Sequence, residues 1–511
     1  MHYADWIVLT LYIGVIVAIG VWANRRQTDT EAYFVGNRNM PWWAAGLSII
    51  ATSFSAASIL GVPGYAFATD MWYLQYTLGD ILAGIIVAVL FIPFFHKVRG
   101  LTTAYEYLEA RFDLKTRLLG STLFSLSVLL RAGTLLFGAA LLFSAVVPTN
   151  LIPGLTGVEE AVVIFGVVAI VYTVLGGISA VIWTDVIQFA IMSLGIIASI
   201  AVVVVGTPGG WEDAFAEAGA AGKLNVVNLE EPMAPRGLVS AIFGYGLLAL
   251  SLFGTNQQPV QRYMTVKSPR EAQGALLMGV GAGAIGVTLS LLLGVFLFLF
   301  YGHFPALLPA DLTPDQVMPH FVNTQVPPIL TGALVAAVFA AAMSSLDSAL
   351  NSLSAALTID FLKRFNPRVS DAGRLTFAKV VVVTAGILGI AIGIYSARAE
   401  APLIDLILTF MGYFAGGLLG LFLLGMLTKR ANGHGAFAGA IVGTLVVLMV
   451  TRNDFPLPRL YEWFGIEPIP FIWSTAVGLV VTLIVGYLVS LFGRPVSPEH
   501  LENTTVQWTV V

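Results

Sequence analysis

The sequence predicts an all-α membrane protein that crosses the bilayer thirteen times, and three observations support this. Of 511 residues, 57% are hydrophobic and only 11% are charged, against about 25% charged in a typical soluble domain. The apolar residues form long runs, and a membrane-spanning helix needs about 20 of them. Lys and Arg fall mostly on one side of the predicted membrane, as the positive-inside rule requires.

Thirteen apolar runs are predicted as spans and are numbered here in chain order. Their ranges are 5–24, 42–67, 72–95, 119–147, 158–175, 179–206, 237–255, 273–301, 328–361, 375–397, 403–428, 434–451 and 470–492. With the N-terminus outside, nineteen of the 25 Lys and Arg residues lie on the inner side and five on the outer side. Arg262 is counted in an inner loop, and the inner tail 493–511 is expected to be polar and mobile. This asymmetry predicts a multi-pass protein of the cell (inner or plasma) membrane.

Composition argues against an enzyme, a sensor and a nucleic-acid-binding protein. The chain has no cysteine, its six histidines fall in or near polar segments, and its net charge is only −4. We find no Ser–His–Asp, metal-ligand or nucleotide-binding motif. The tail is far shorter than a soluble output domain.

Span 2 contains polar residues that suggest a broken helix. Thr52, Ser53, Ser55 and Ser58 interrupt its apolar run, and glycine and proline follow at 61–64. Hydroxyl groups compete for backbone hydrogen bonds, and proline removes one. An unwound turn would free carbonyl groups that can coordinate a cation. Close packing through small residues remains an alternative.

Span 7 shows a similar interruption, because its end reads FGTNQQP over 253–259. Two interrupted helices five spans apart match an inverted repeat of five helices each. The repeats would cover 42–206 and 237–428, with a leading helix at 5–24 and two trailing helices at 434–492. Together they form one predicted transporter domain, 1–492.

Span 9 carries the strongest chemical signal. Ser344, Ser348 and Asn351 are spaced as on one face of a helix, and Ser345 and Asp347 flank that face. Hydroxyl and carboxylate oxygens suit a hard cation, and so few charges suit a monovalent ion better than calcium. The alternative is hydrogen bonding between helices.

Asp185 lies near the inner end of span 6, as Asp347 does in span 9. If the two helices adjoin, both carboxylates face one cavity and need a cation or a proton. Solvation of Asp185 near the inner headgroups is the alternative reading.

Arg131 and Asp80 are further ionisable residues within predicted spans, where charge is costly and indicates function. Arginine offers a planar fork to a carboxylate. Arg131 is therefore a candidate for recognising an anionic substrate. The alternatives are that it pairs with an acid such as Asp80 or extends its side chain to the aqueous vestibule.

The chain resembles the sodium:solute symporter family over nearly its whole length. The matching stretches are 31–36 (EAYFVG), 41–46 (PWWAAG), 103–112 (TAYEYLEARF), 172–179 (YTVLGGIS) running into Asp185, 260–263 (VQRY), 344–348 (SSLDS), 429–432 (KRAN) and 435–439 (GAFAG). The resemblance implies a leucine-transporter-type core with alternating access, built from spans 2–11.

The resemblance also implies where ions bind. The first sodium site would use the carbonyls of Ala51, Phe54 and Ala341 and the hydroxyls of Ser344 and Ser345. A second cation site, present in some members, would use Asp185, Ser344, Asp347 and Ser348. Asp347 stands where the similar sialic acid transporters have a serine, which leaves the number and identity of the coupled ions open.

For the substrate, the resemblance implies an organic anion. Similar sialic acid transporters bind the substrate carboxylate with an arginine at the position of Arg131, and their hydroxyls align with Ser53, Ser55 and Ser58. Asp80 is the fifth candidate substrate-binding residue. We therefore expect sodium-coupled import of a carboxylate-bearing solute. A neutral sugar or vitamin, or proton coupling through Asp185 and Asp347, is the alternative.

Overall fold

The computed structural model describes residues 2–24, 29–98, 100–146, 152–175, 177–398, 403–451, 459–465, 467–494 and 496–506. Helices dominate these ranges, which contain no β-strand. Nine of the described helices are long and apolar enough to cross a membrane, and they correspond to spans 3, 4, 6 and 8–13. Spans 1, 2, 5 and 7 are helical but do not meet the same criteria, so thirteen crossings remain a prediction.

The helices of the spans follow the predicted ranges closely. They are, in order, Tyr3–Asn24; Trp42–Ser53, Ala56–Ile59 and Gly61–Ala68; Trp72–Gln75, Tyr76–Ile86, Val87–Phe91 and Ile92–Lys97; Leu114–Val146; Gly157–Leu175; Ile178–Gly206; Ser240–Tyr245 and Gly246–Thr255; Pro269–His303; Leu330–Ala356, Leu357–Leu362 and Lys363–Phe365; Asp371–Ala397; Leu403–Leu427; Gly433–Val450; and Ser474–Leu491. The connecting helices are Thr30–Val35, Gly36–Arg38, Glu106–Arg111, Gly210–Ala220, Gln257–Thr265, Pro305–Leu307, Pro314–Thr324, Leu460–Phe464, Phe471–Trp473 and Pro498–Leu501.

Two of the predicted spans are broken helices. Span 2 ends its first half at Phe54, whose backbone is extended (φ −84°, ψ 91°). Span 7 ends at Asn256, also extended (φ −79°, ψ 131°), and the helix Gln257–Thr265 follows at once. All nine residues of that helix are buried. Arg262 therefore lies inside the protein, in the connection between spans 7 and 8, and its place on the inner side of the membrane stays a prediction.

Span 9 lies at the centre of the molecule. Inner and outer denote the predicted sides of the membrane. It packs against spans 1, 2, 4 and 6, and 94% of its most apolar window is buried. Its outer end is held by Asp5 from span 1, whose Oδ1 accepts hydrogen bonds from the backbone N–H groups of Ile329 (2.7 Å) and Gly332 (3.0 Å). A carboxylate at a helix N-terminus satisfies otherwise unpaired N–H groups.

The inner end of span 9 is held by a buried ionic cluster. Asp360 is fully buried and lies 2.7 Å from Nη2 of Arg117 on span 4. It also accepts hydrogen bonds from Ser121 (2.9 Å) and Thr103 (2.7 Å). Glu109, on the helix Glu106–Arg111, lies 2.7 Å from the same arginine. Both ends of span 9 are thus fixed by charged contacts.

The described part of the tail packs against the inner side. The hydroxyl of Tyr107 donates to the Thr504 carbonyl (2.8 Å), and the backbone N–H of Val506 donates to the carbonyl of Met426 (2.8 Å). Thr504 and Thr505 are both 5% exposed. The segment 496–506 thus hydrogen-bonds with elements distant in sequence, while the mobility expected of the tail stays a prediction.

Candidate functional site

The broken end of span 2 meets span 9 through two serines. Ser344 Oγ donates to the Ala51 carbonyl (2.9 Å) and lies 3.1 Å from the Ala341 carbonyl of its own helix. Ser345 Oγ donates to the Thr52 carbonyl (3.0 Å). The helix break frees these carbonyls, because the backbone N–H groups that would otherwise donate to them no longer follow in helical geometry.

This cluster of oxygens carries no formal charge and is fully buried. Carbonyl and hydroxyl oxygens at a helix break are the ligands expected for a hard monovalent cation. Three of the predicted sodium ligands, from Ala51, Ala341 and Ser344, are in mutual contact, and Ser345 is adjacent. Phe54, the third predicted backbone ligand, is the residue at which the helix ends. The Thr52 carbonyl was not among the predicted ligands.

Arg262 occupies the inner side of this cluster and links three helices. Its Nη2 lies 3.2 Å from Oδ2 of Asp185 and donates to Ser348 Oγ (2.5 Å). Its Nε donates to Ser48 Oγ (2.9 Å), and Ser48 in turn donates to Asp185. Thr52 Oγ1 lies 2.9 Å from Ser348 Oγ. Two of the predicted second-site ligands therefore share one guanidinium group.

Sequence reasoning missed the role of Arg262 because it sits in a polar stretch, QQPVQR, that resembles a loop. The available signal was the density of amides beside a helix-breaking proline. Asp347, the fourth predicted second-site residue, is fully buried in span 9 like Ser344. In the residues that the structure describes, no group of three or more His, Cys, Asp or Glu residues could hold a metal ion.

A central cavity lies beside the break on its outer side. It brings together all five predicted substrate residues, although they come from three different spans. They are Ser53, Ser55, Ser58, Asp80 and Arg131. Apolar side chains from spans 2, 7, 8 and 11 and the rings of Tyr73, Tyr76 and Tyr245 complete the wall. An apolar cavity with few convergent polar groups is the usual form of a small-molecule site.

Arg131 reaches this cavity from span 4 and is only 6% exposed. Its Nη1 donates to Gln258 Oε1 (2.9 Å) and its Nη2 to the Thr52 carbonyl (3.3 Å). Its buried Nε has no hydrogen-bond partner among the described residues. The ion pair with Asp80 that the sequence left open is absent from the described part of the chain; Asp80 contacts the Tyr245 hydroxyl at 3.5 Å.

A larger vestibule adjoins the cavity on the outer side, and Tyr73 and Tyr76 line both spaces. The outer loops contribute Arg236 and Asp315 to the vestibule wall. Lys223 anchors the first of these loops by donating to the carbonyls of two residues at the end of span 2, at 2.8 and 2.6 Å.

Two broken helices beside a buried oxygen cluster, next to an apolar cavity with a few polar groups, define a secondary transporter. The sequence profile of the sodium:solute symporter family matches residues 33–443. A sodium/sialic acid symporter of Aliivibrio fischeri is 31% identical over 507 residues, covering 98% of this chain and 95% of that protein. A second one, from Proteus mirabilis, is 32% identical over 455 residues, covering 87% of this chain and 89% of that protein.

Solved structures give the same result. A Na⁺-coupled sialic acid symporter in its substrate-bound outward-open state superposes with a TM-score of 0.85 at 29% identity, covering 97% of this chain and 99% of that one. A nucleobase-cation-symport-1 family transporter, at 16% identity, superposes with a TM-score of 0.57 over 92% of this chain and 97% of that one, and this likeness concerns the fold alone.

The chain belongs to the sodium:solute symporter family. It is a multi-pass membrane transporter with the leucine-transporter-type fold and not an enzyme, and sodium is its coupling ion. The predicted family, fold class and coupling ion are confirmed.

Proposed function

We propose that the protein imports a small carboxylate-bearing solute, such as sialic acid or another organic anion, together with sodium by alternating access. The observation that carries the proposal is the position of Arg131 in the wall of the central cavity, which serines of the broken helix also line. Arginine binds carboxylates through a planar fork of donors. The sialic acid symporters to which the chain is similar support an acidic solute.

Sodium binds, in this proposal, between spans 2 and 9 at Ala51, Phe54, Ala341, Ser344 and Ser345. A cation there bridges the broken helix to span 9 and so stabilises the cavity for substrate. The same carbonyl of Thr52 accepts from both Ser345 and Arg131. The ion cluster and the anion-binding residue thus share a backbone group, which gives coupling between sodium and substrate a physical route.

The membrane orientation is also part of the proposal, with the N-terminus outside and the C-terminus in the cytoplasm, in the cell membrane. The excess of Lys and Arg on one side supports it. Because the chain lacks cysteine, single-cysteine labelling tests it directly. We expect an impermeant maleimide to label Glu230→Cys in intact cells and Lys267→Cys only after permeabilisation. The reverse pattern would overturn the orientation.

Uptake of sialic acid into proteoliposomes, in sodium and in choline medium, tests the function. We expect uptake only with an inward sodium gradient, and loss of uptake in Arg131→Gln. Arg398→Gln is the matched control, because Arg398 is largely exposed at the end of span 10 and pairs with Glu159. Equal uptake in both media would overturn sodium coupling, and undiminished uptake by Arg131→Gln would favour a neutral sugar or vitamin.

Proton coupling through Asp185 and Asp347 is the second candidate. Both carboxylates are fully buried, and a buried carboxylate is a natural proton carrier. Substrate-driven proton entry without sodium would support it. Loss of that entry in Asp347→Asn, with Asp371→Asn as an exposed control, would assign the proton to span 9.

A further inference from the structure

The central cavity carries two charges of opposite sign that do not pair with each other. Arg131 on span 4 and Asp80 on span 3 both line it. Within the described ranges, neither forms an ion pair with any residue. Among the residues that the structure describes, the one side-chain hydrogen bond of Asp80 comes from the Tyr245 hydroxyl at 3.5 Å, the outer limit for such a contact.

This separation has an energetic consequence. A carboxylate or guanidinium held away from water is costly unless it is paired, and the cost is higher within a membrane. Under the proposed function, the carboxylate of the solute neutralises Arg131. Because Asp80 lies in the same cavity, the bound solute also excludes water from the Asp80 carboxylate. While Asp80 stays ionised, the complex is balanced in charge only if the solute brings a positive group to it.

The surroundings of Asp80 favour a cationic nitrogen over hydroxyl groups. The rings of Tyr76 and Tyr245 are stacked with centroids 5.0 Å apart, and Tyr73 meets Tyr76 edge-on at 4.9 Å. All three rings line the cavity with Asp80. Aromatic faces attract cations through the ring quadrupole, and a carboxylate adds to that attraction. Sugar hydroxyls would donate hydrogen bonds to Asp80 but would leave its charge unbalanced.

We propose that the solute is dipolar, with a carboxylate at Arg131 and a protonated amine at Asp80 beside the tyrosine rings. The inference rests on the proposed carboxylate recognition at Arg131 and adds a second recognition point to it. It assigns Asp80 as the residue that distinguishes amino carboxylates from plain carboxylates.

Matched pairs of acids test the proposal on the purified full-length protein. The amino acids are glycine, 3-aminopropanoate, 4-aminobutanoate and 5-aminopentanoate; their partners are acetate, propanoate, butanoate and pentanoate, with gluconate as a polyhydroxy acid without nitrogen. Thermal stabilisation against ligand concentration gives an apparent Kd in sodium and in choline. We expect at least one amino acid to bind about tenfold or more tightly than its partner in sodium.

Two variants locate the preference. Asp80→Asn should remove the advantage of the amino acid while the plain acid still binds, which also shows that the variant is folded. Asp405→Asn should keep the advantage, because Asp405 lines the outer vestibule and not the cavity.

The outcomes separate the two proposals. If plain acids or gluconate bind in sodium and lose binding in Arg131→Gln, but no amine improves binding, the dipolar solute is overturned and the proposed function stands. A preference for amines that survives in Asp80→Asn also overturns it. If none of these carboxylates, nor sialic acid, binds in sodium, both proposals fail.

Discussion

Nη2 of Arg262 lies 3.2 Å from Oδ2 of Asp185, and neither side chain is exposed. The arginine comes from the second broken helix and the acid from span 6, 77 residues apart in sequence. Through Ser348 the same guanidinium also reaches span 9. The contact joins three helices and lies next to the predicted sodium ligands, on their inner side. Its strength should therefore affect the free energy of opening the transporter toward the inside.

We expect Arg262→Gln to destabilise the protein by about 3–5 kcal/mol, because it leaves the Asp185 charge buried without a cation. The melting temperature in detergent measures the effect. Arg270→Gln is the control, since Arg270 is exposed at the start of span 8. The double variant Arg262→Gln with Asp185→Asn should recover part of the loss. Equal melting of the Arg262 and Arg270 variants would contradict this account.

Removing a proposed sodium ligand should weaken sodium activation specifically. Ser344→Ala takes away a hydroxyl in contact with two carbonyls, and we expect the sodium concentration for half-maximal uptake to rise by about tenfold. Ser352→Ala is the matched control, because that serine is equally buried but donates only to Ala349 of its own helix (3.1 Å). A sodium dependence that is unchanged in Ser344→Ala would remove this serine from the site.

The docked tail should depend on the Tyr107 hydroxyl. Tyr107→Phe removes its hydrogen bond to the Thr504 carbonyl, for an expected loss of about 1 kcal/mol and faster proteolysis of the tail. Tyr33→Phe is the control, because the buried hydroxyl of Tyr33 has no hydrogen-bond partner among the described residues. If both variants lose the tail at the wild-type rate, the contact does not hold it.

The contribution of Glu109 to the free energy of unfolding should depend on pH. Burial alone would raise its pKa, but hydrogen bonds from Arg117 and Arg364 outweigh burial and lower it below the ordinary 4.5. A carboxylate whose folded pKa is lowered contributes stability above its unfolded pKa and loses it as pH falls through the folded one. Because Glu109 is partly exposed, we expect less than about 1 kcal/mol.

Glu109→Gln should therefore melt below the wild type at neutral pH, and the difference should shrink once the pH falls below about 4.5. Melting temperatures across that range measure it. Glu31→Gln serves as the control, since Glu31 is 64% exposed and lies 3.6 Å from Arg38. A difference that stays constant down to the lowest pH would show that the charge of Glu109 is not responsible.

The parts of the site that were predictable depend on local sequence. Thr52, Ser53, Ser55 and Ser58 indicated a break, and the helix does end at Phe54. The serines of span 9 indicated a polar face, and Ser344 and Ser345 do meet the freed carbonyls. Helix breaks follow from hydrogen bonding within a few residues, so a linear pattern reveals them.

The Arg262 contacts could not be predicted in this way. A hydropathy pattern averages over neighbours, so the amides and arginine of 257–265 resemble a solvated loop. Only the packing of this short helix against neighbours such as spans 2, 8 and 9 buries it. The docked tail segment 496–506 is a second case, because its partners Tyr107 and Met426 are distant in sequence.

By itself, the sequence determined that this is a helical membrane protein, where its helices break, and which side chains carry charge into the membrane. These properties follow from residue type and local spacing, which set hydropathy and helix stability. The tertiary structure decided which groups meet: Ser344 with Ala51, Arg262 with Asp185, and Arg131 and Asp80 around one cavity without pairing. Those contacts join helices far apart in the chain, so packing in three dimensions fixes them and local sequence does not.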